Sequence, residues 1–147
     1  METLDYEIHI NAPIQKVWDL LWNPETYPIW TQFFAPDSQM KSDWKVGGKT
    51  YFTNQKGEGM VSTIESLDEP NEVVFKHLGI VKDGVEDTYT KDVKDWSGAE
   101  EKYFLRAVDE NMTQLRASLH TSNENEDLMN KGFKEGFAML KKLAEKE

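Results

Sequence analysis

NENEDLMNKGFKEGFAMLKKLAEK, residues 123–146, is the clearest amphipathic helix in the sequence, and it is the element around which the rest of the chain must pack. Its apolar residues recur at helical spacing and form one stripe: Met129, Phe133, Phe137, Leu140 and Ala144. Acidic residues occupy the first turn and lysines the last turn, which is the charge order that a helix dipole favours. We expect Asn123 to cap this helix, with Glu126 completing a capping box.

Two glycines, Gly132 and Gly136, lie within the apolar stripe of this helix. Each costs about 1 kcal/mol relative to alanine in a helix interior, so a compensating reason is expected. One reason is close packing of the helix against a sheet. The other is space beneath the helix for a ligand, and both reasons can hold together.

The residues before this helix predict one strand, two short helical segments and then a series of antiparallel strands. Alternation over residues 6–10 indicates a half-buried strand, and Pro13 suits the first position of a helix that ends at residues 23–24. A second short turn is predicted to end at Tyr27, because a residue before proline is disfavoured in a helix. Strands are then predicted at residues 39–41, 50–55, 60–67, 72–78, 101–108 and 112–121.

A polar and acidic segment, residues 79–100, separates two of the predicted strands. Asp83-Gly84 is a hairpin signal that predicts a small ribbon within it. The segment fits a lid, a surface for a partner or a solvated hairpin, and the sequence leaves these three open.

Composition and charge narrow the possible classes of function. The 147 residues carry a net charge of −10 with no basic run before the last helix, which argues against nucleic-acid and membrane partners. The absence of cysteine excludes disulfides and thiolate catalysis, and the three histidines lack metal-site spacing. Neither a signal-peptide core nor a spanning apolar run is evident. We expect one cytoplasmic domain over residues 1–147, a monomer or homodimer without cofactor or metal.

Three motifs, taken together in their order and spacing, resemble the START-like superfamily, also called SRPBCC or helix-grip. They are IHINAP at residues 8–13 followed by Val17-Trp18 and Trp30, DWKVGGK at residues 43–49, and Gly136-Phe137 in the last helix. Within the superfamily the sequence is most similar to the group named for homology to the activator of heat-shock-protein-90 ATPase. It is also similar to polyketide cyclase members. It departs from the pattern at Phe137, where tryptophan is common, and in the acidic segment.

This resemblance implies an α+β helix-grip fold. The expected architecture is a curved antiparallel sheet of about six or seven strands wrapped around the long C-terminal helix, with two short helices after the first strand. The family keeps a hydrophobic cavity between sheet and helix. The ring-rich segment 23–38 would lie over one end of that cavity, with its rings either lining the cavity or plugging the sheet as core.

Strand alternation and the helical stripe give a candidate lining for this cavity. On the fourth predicted strand from the chain start, Met60, Ser62 and Ile64 are expected to face inward. The full set of predicted ligand-binding residues is Trp30, Phe33, Phe34, Tyr51, Met60, Phe75, His77, Tyr103, Leu105, Leu119, Met129, Phe133 and Phe137.

His77 is the one histidine that alternation places inside. In an apolar pocket it would orient a ligand or move a proton, with Tyr103 as a hydrogen-bond partner. The alternative is a core histidine that is satisfied by a neighbouring carbonyl or hydroxyl group. No residue is assigned a catalytic role from sequence.

The predicted function is binding of a hydrophobic, ring-containing small molecule in this cavity. Two alternatives from other classes remain: a protein-interaction module with a chaperone as partner, as the group's name suggests, and a cyclase or hydrolase that uses the same cavity.

Overall fold

The computed structural model describes residues 2–146, which form one antiparallel sheet and four α-helices. The strands are β1 (Glu2–Ile10), β2 (Gln39–Ser42), β3 (Lys49–Thr53), β4 (Gly59–Asp68), β5 (Glu72–Lys82), β6 (Val85–Asp87), β7 (Glu100–Asp109) and β8 (Met112–Thr121). The helices are α1 (Ile14–Trp22), α2 (Tyr27–Thr31), α3 (Lys91–Lys94) and α4 (Glu126–Glu145).

The sheet has the strand order β1-β8-β7-β5-β4-β3-β2, and the short strand β6 pairs with β5. It packs on α4, α1 and α2, which confirms the predicted helix-grip fold. The described part of the chain contains eight strands rather than six or seven because the acidic segment contributes β6. The turn between β5 and β6 is Asp83-Gly84, with φ of 53° and 76°, so the predicted ribbon is also confirmed.

The second helix lies later in the chain than the sequence predicts. It begins at Tyr27 instead of ending there, and Pro28 falls in its first turn, where a missing N–H group needs no partner. The Tyr27 amide donates to the Asn23 carbonyl at 2.9 Å, and Tyr27 is only 8% exposed. Burial of the ring therefore outweighs the bias against helix before a proline.

The predicted capping role of Asn123 is wrong. Residues Asn123–Asn125 form a single 3-10 turn, α4 begins at Glu126, and no side chain among residues 2–146 caps the helix. The Glu126 amide instead donates to the Asn123 backbone carbonyl. The tighter turn satisfies an N-terminal amide that a side-chain cap would otherwise bind.

The two glycines of α4 allow close packing against the α2 region rather than against the sheet. A Cβ atom on Gly136 would lie 2.6 Å from the backbone carbonyl oxygen of Trp30, and one on Gly132 would overlap the ring of Phe34. Both glycines are buried in the face of α4 that also contains Phe133. The close contact of α2 with α4 therefore brings the Trp30 and Phe34 rings into the interior.

Candidate functional site

A cavity of about 400 Å³ lies between α2, the inner face of the sheet and α4. Six residues from α2 and the turn after it line the cavity, and their spacing is helical: Tyr27, Trp30, Thr31, Phe34, Ala35 and Ser38. Eight of the residues predicted from sequence line it, namely Trp30, Phe34, Met60, His77, Tyr103, Leu119, Met129 and Phe133. The ring-rich segment thus forms one wall of the cavity, with Trp30 itself almost fully buried.

Five predicted lining residues lie elsewhere in the structure. Phe75, Leu105 and Phe137 are buried in the core next to the cavity without lining it. Phe33 is half-buried and does not lie on the helical face that contains residues 30 and 34. Tyr51 is on the opposite face of β3, where its hydroxyl group donates to Glu86 at 2.7 Å.

The error at Tyr51 is one of strand alternation. Two adjacent rings, Tyr51 and Phe52, compete for the inner face of β3, and the sequence alone does not decide between them. The structure places Phe52 inside, with its ring centroid 5.1 Å from that of Phe75. The Tyr51 hydroxyl remains on the outer face beside Glu86 and Lys49, where its polar end has partners.

A chain of polar side chains lies at the inner end of the cavity. Ser62 Oγ and His77 Nδ1 are 2.7 Å apart, and His77 Nε2 lies 3.3 Å from Glu101 Oε1. The Tyr103 hydroxyl donates to the other carboxylate oxygen of Glu101. Ser62 is fully buried, and the His77 and Glu101 side chains are 9% and 22% exposed.

Glu101 is the functional candidate that the sequence interpretation missed. It has the same strand parity as Tyr103 and Leu105, so alternation along β7 was the available signal. The predicted pairing of His77 with Tyr103 is also corrected, since Glu101 lies between them, with one carboxylate oxygen 3.3 Å from His77 Nε2 and the other accepting from the Tyr103 hydroxyl. Burial of a carboxylate requires such partners.

The neighbours of Glu101 set its ionisation. Burial alone would raise the pKa of this carboxyl group, but the hydrogen bonds from His77 and Tyr103 and the charge of His77 outweigh that effect and lower the pKa. Burial and the adjacent Glu101 charge raise the pKa of Tyr103 well above its usual value. Burial and the Glu101 charge also raise the pKa of Tyr27. At neutral pH the site therefore holds an ionised Glu101 and protonated tyrosines.

A second cavity, of about 300 Å³, adjoins the first. Met60, His77, Glu101, Leu119 and Met129 line both cavities. The second cavity extends to Trp96 in the acidic segment. His77 and Glu101 therefore contact both spaces, and the second space also borders residues 79–100.

Two further features of the described residues concern metal binding and membrane insertion. Within residues 2–146, no group of three or more His, Cys, Asp and Glu side chains has an arrangement that could hold a metal ion. None of the helices formed by these residues combines the length and apolar character needed to cross a bilayer.

Comparison with known sequences gives a family match over most of the chain. A family model described as "Activator of Hsp90 ATPase homolog 1-like protein" matches residues 11–145. No curated protein matches the chain in sequence.

Solved structures share the fold at low sequence identity. Protein MLL2253 from Mesorhizobium loti aligns with a TM-score of 0.70 and 15% identity, covering 97% of this chain and 96% of that one. Protein CV1439 from Chromobacterium violaceum aligns over both full chains with a TM-score of 0.68 and 14% identity. The Aha1 dimer from Colwellia psychrerythraea aligns with a TM-score of 0.65 and 20% identity, covering 98% of this chain and 94% of that one. At these identities the comparisons establish the fold.

Proposed function

The chain belongs to the family of Activator of Hsp90 ATPase homolog 1-like proteins, and we propose that it binds a hydrophobic, ring-containing small molecule in the cavity beneath α4. The family match and the fold also bear out the START-like resemblance. We further propose that the protein acts in the cytoplasm as a monomer or homodimer, the latter by analogy with the dimeric Aha1 neighbour.

The observation that carries this proposal is a cavity with aromatic walls that is also lined by the largely buried His77–Glu101 pair. Edge-to-face contacts hold the rings in place, with centroids 6.4 Å apart for Trp30 and Tyr103 and 4.9 Å apart for Phe34 and Phe133. Binding sites for small molecules are typically concave and mostly apolar, with a few placed polar groups that fix orientation. The His77–Glu101 pair fits that role here.

The same pair supports a second candidate function, general acid–base catalysis by a cyclase or hydrolase. His77 and Glu101 are in contact within a partly open cavity, and a catalytic histidine needs an orienting partner of this kind. If turnover of a ring-containing substrate is found, His77→Gln should abolish it. An unchanged rate would exclude His77 as the catalytic group.

A thermal-shift screen of apolar ring compounds with polar controls tests the binding proposal. A compound at about 100 times its dissociation constant should stabilise the protein by about 2.7 kcal/mol, which corresponds to a rise in Tm of roughly 5–10 °C. If no ring compound raises Tm, the binding proposal fails. A protein partner such as a chaperone then becomes the better candidate.

A pair of substitutions on α4 tests whether such a ligand occupies this cavity. Met129 lines the cavity, and the neighbouring Leu128 is 45% exposed and does not. Met129→Trp should fill the space and weaken binding at least about tenfold, because a rigid ring would overlap the ligand. Leu128→Trp makes a similar change in size on the solvent side and should leave the affinity unchanged. Equal affinities in calorimetric titrations of the two variants would place the ligand elsewhere.

A further inference from the structure

We infer that the ligand of this cavity carries a hydrogen-bond-donating group, a hydroxyl or an ammonium, next to its hydrophobic ring, and that the cavity rejects carboxylates. This inference rests on the proposed function and specifies the ligand class. The reason is that the polar chain has hydrogen-bond acceptors left to bind a ligand, whereas its donors already bind within the protein.

The imidazole of His77 offers no N–H group to a ligand in either charge state. Because a carboxylate can only accept, neutral His77 carries its proton on Nε2, 3.3 Å from Glu101 Oε1, and Nδ1 then accepts from the Ser62 hydroxyl. When it is protonated, Nδ1–H donates to Ser62 Oγ and Nε2–H still donates to Glu101. Both ring nitrogens are therefore engaged within the protein.

Tyr103 is engaged in the same way, because its one O–H group donates to Glu101. The Glu101 carboxylate, by contrast, retains acceptor capacity. Each of its oxygens accepts one of these bonds, and a carboxylate provides about four lone-pair sites. Its side chain lines the cavity and is 22% exposed. The polar chain thus presents unused acceptor sites on Glu101 to a ligand, whereas the donors of His77 and Tyr103 are already occupied.

The charges around the cavity also favour a hydrogen-bond donor on the ligand over a carboxylate. Glu101 and Glu58 both line the main cavity, and none of the described residues that line either cavity is a lysine or arginine. The chain as a whole carries a charge of −10. A ligand carboxylate would therefore be brought close to Glu101 in a partly desolvated site that offers no lysine or arginine side chain to compensate. A donor group would instead form a charge-assisted hydrogen bond.

Four naphthalene derivatives that differ in one substituent test this inference by calorimetric titration. We expect the aminomethyl and hydroxymethyl compounds to bind at least about tenfold more tightly than the methyl compound, since they donate to a charged acceptor. The carboxylate should bind most weakly. If the methyl compound equals the donors, or the carboxylate binds best, the inference is wrong and the binding proposal stands. If none of the four binds, the binding proposal itself is contradicted.

Substitutions then assign the preference to Glu101. Glu101→Gln should remove most of the advantage of the aminomethyl compound and improve binding of the carboxylate. Glu86→Gln makes the same change of charge on the outer face of the sheet, beside Tyr51, and should leave the ranking intact. Tyr103→Phe keeps the carboxylate and frees one of its lone pairs, so the preference for donors should persist. Loss of the preference for donor compounds in Glu86→Gln would overturn the assignment. So would a preference that is lost in Tyr103→Phe but kept in Glu101→Gln.

Discussion

Replacing His77 with leucine is expected to destabilise the fold by roughly 3 kcal/mol at pH 7, because it removes one partner of the largely buried Glu101 carboxylate and leaves that charge less well satisfied. Glu101 would retain only the hydrogen bond from Tyr103. Urea denaturation of the variant and the wild-type chain would measure the difference. His9→Leu, at an exposed position of β1, is the matched control and should change stability by no more than about 0.5 kcal/mol.

The deficit in His77→Leu should depend on pH in a defined direction. In the wild-type chain the pKa of Glu101 is lowered from 4.5, so its stabilising contribution is present above about that pH and is lost as the pH falls through the native-state pKa. In the variant, burial without the histidine would raise the pKa. The deficit should therefore be greatest at neutral pH and shrink as the pH falls and Glu101 is protonated. A deficit that is constant from pH 7 to pH 4 would contradict this account.

The double variant His77→Leu/Glu101→Leu separates the cost of lost packing from the cost of leaving a buried charge without its partner. Removing both members of a buried pair is often far less costly than removing one. The double variant should thus be more stable than His77→Leu alone, with a coupling energy of about 1–3 kcal/mol. If the two losses simply add, His77 and Glu101 do not stabilise each other.

The fold was accessible from sequence because its elements carry strong periodic signals. The stripe on α4 and the alternation along β1 each bury one face of an element, so local pattern and tertiary packing agree. The start of α2 was not accessible, because the bias before Pro28 points away from helix. That bias is reversed only by tertiary packing, which places the Tyr27 and Trp30 ring centroids 5.7 Å apart in the core.

The candidate site was only partly predictable. Alternation identified His77 and Tyr103 because flanking lysines marked the outer face of their strands. It did not lead to Glu101, since an acidic residue at the start of a strand is usually exposed. Its burial depends on partners from two different strands, and such a combination is visible only when β5 and β7 are paired.

Gly136→Ala is expected to destabilise the protein by about 2 kcal/mol, although alanine is the better helix former. The gain in helix propensity is about 1 kcal/mol, and overpacking typically costs about 1–3 kcal/mol or more. The upper end of that range applies because the obstructing atom is the backbone carbonyl oxygen of Trp30, 2.6 Å from the added Cβ. Relief would require α2 to move away from α4 as a unit.

Gly132→Ala is the informative comparison, because the added methyl group meets the ring of Phe34 rather than backbone. That ring lines the cavity and can rotate into it, so stability should change by less than about 1 kcal/mol while the ligand loses space. Thermal melts and ligand titrations of the two variants should therefore diverge. Gly136→Ala should lower Tm by several degrees, and Gly132→Ala should mainly weaken binding. If Gly136→Ala melts like the wild-type chain, α2 can move away from α4, and the tight contact that shapes the cavity wall is not required for stability.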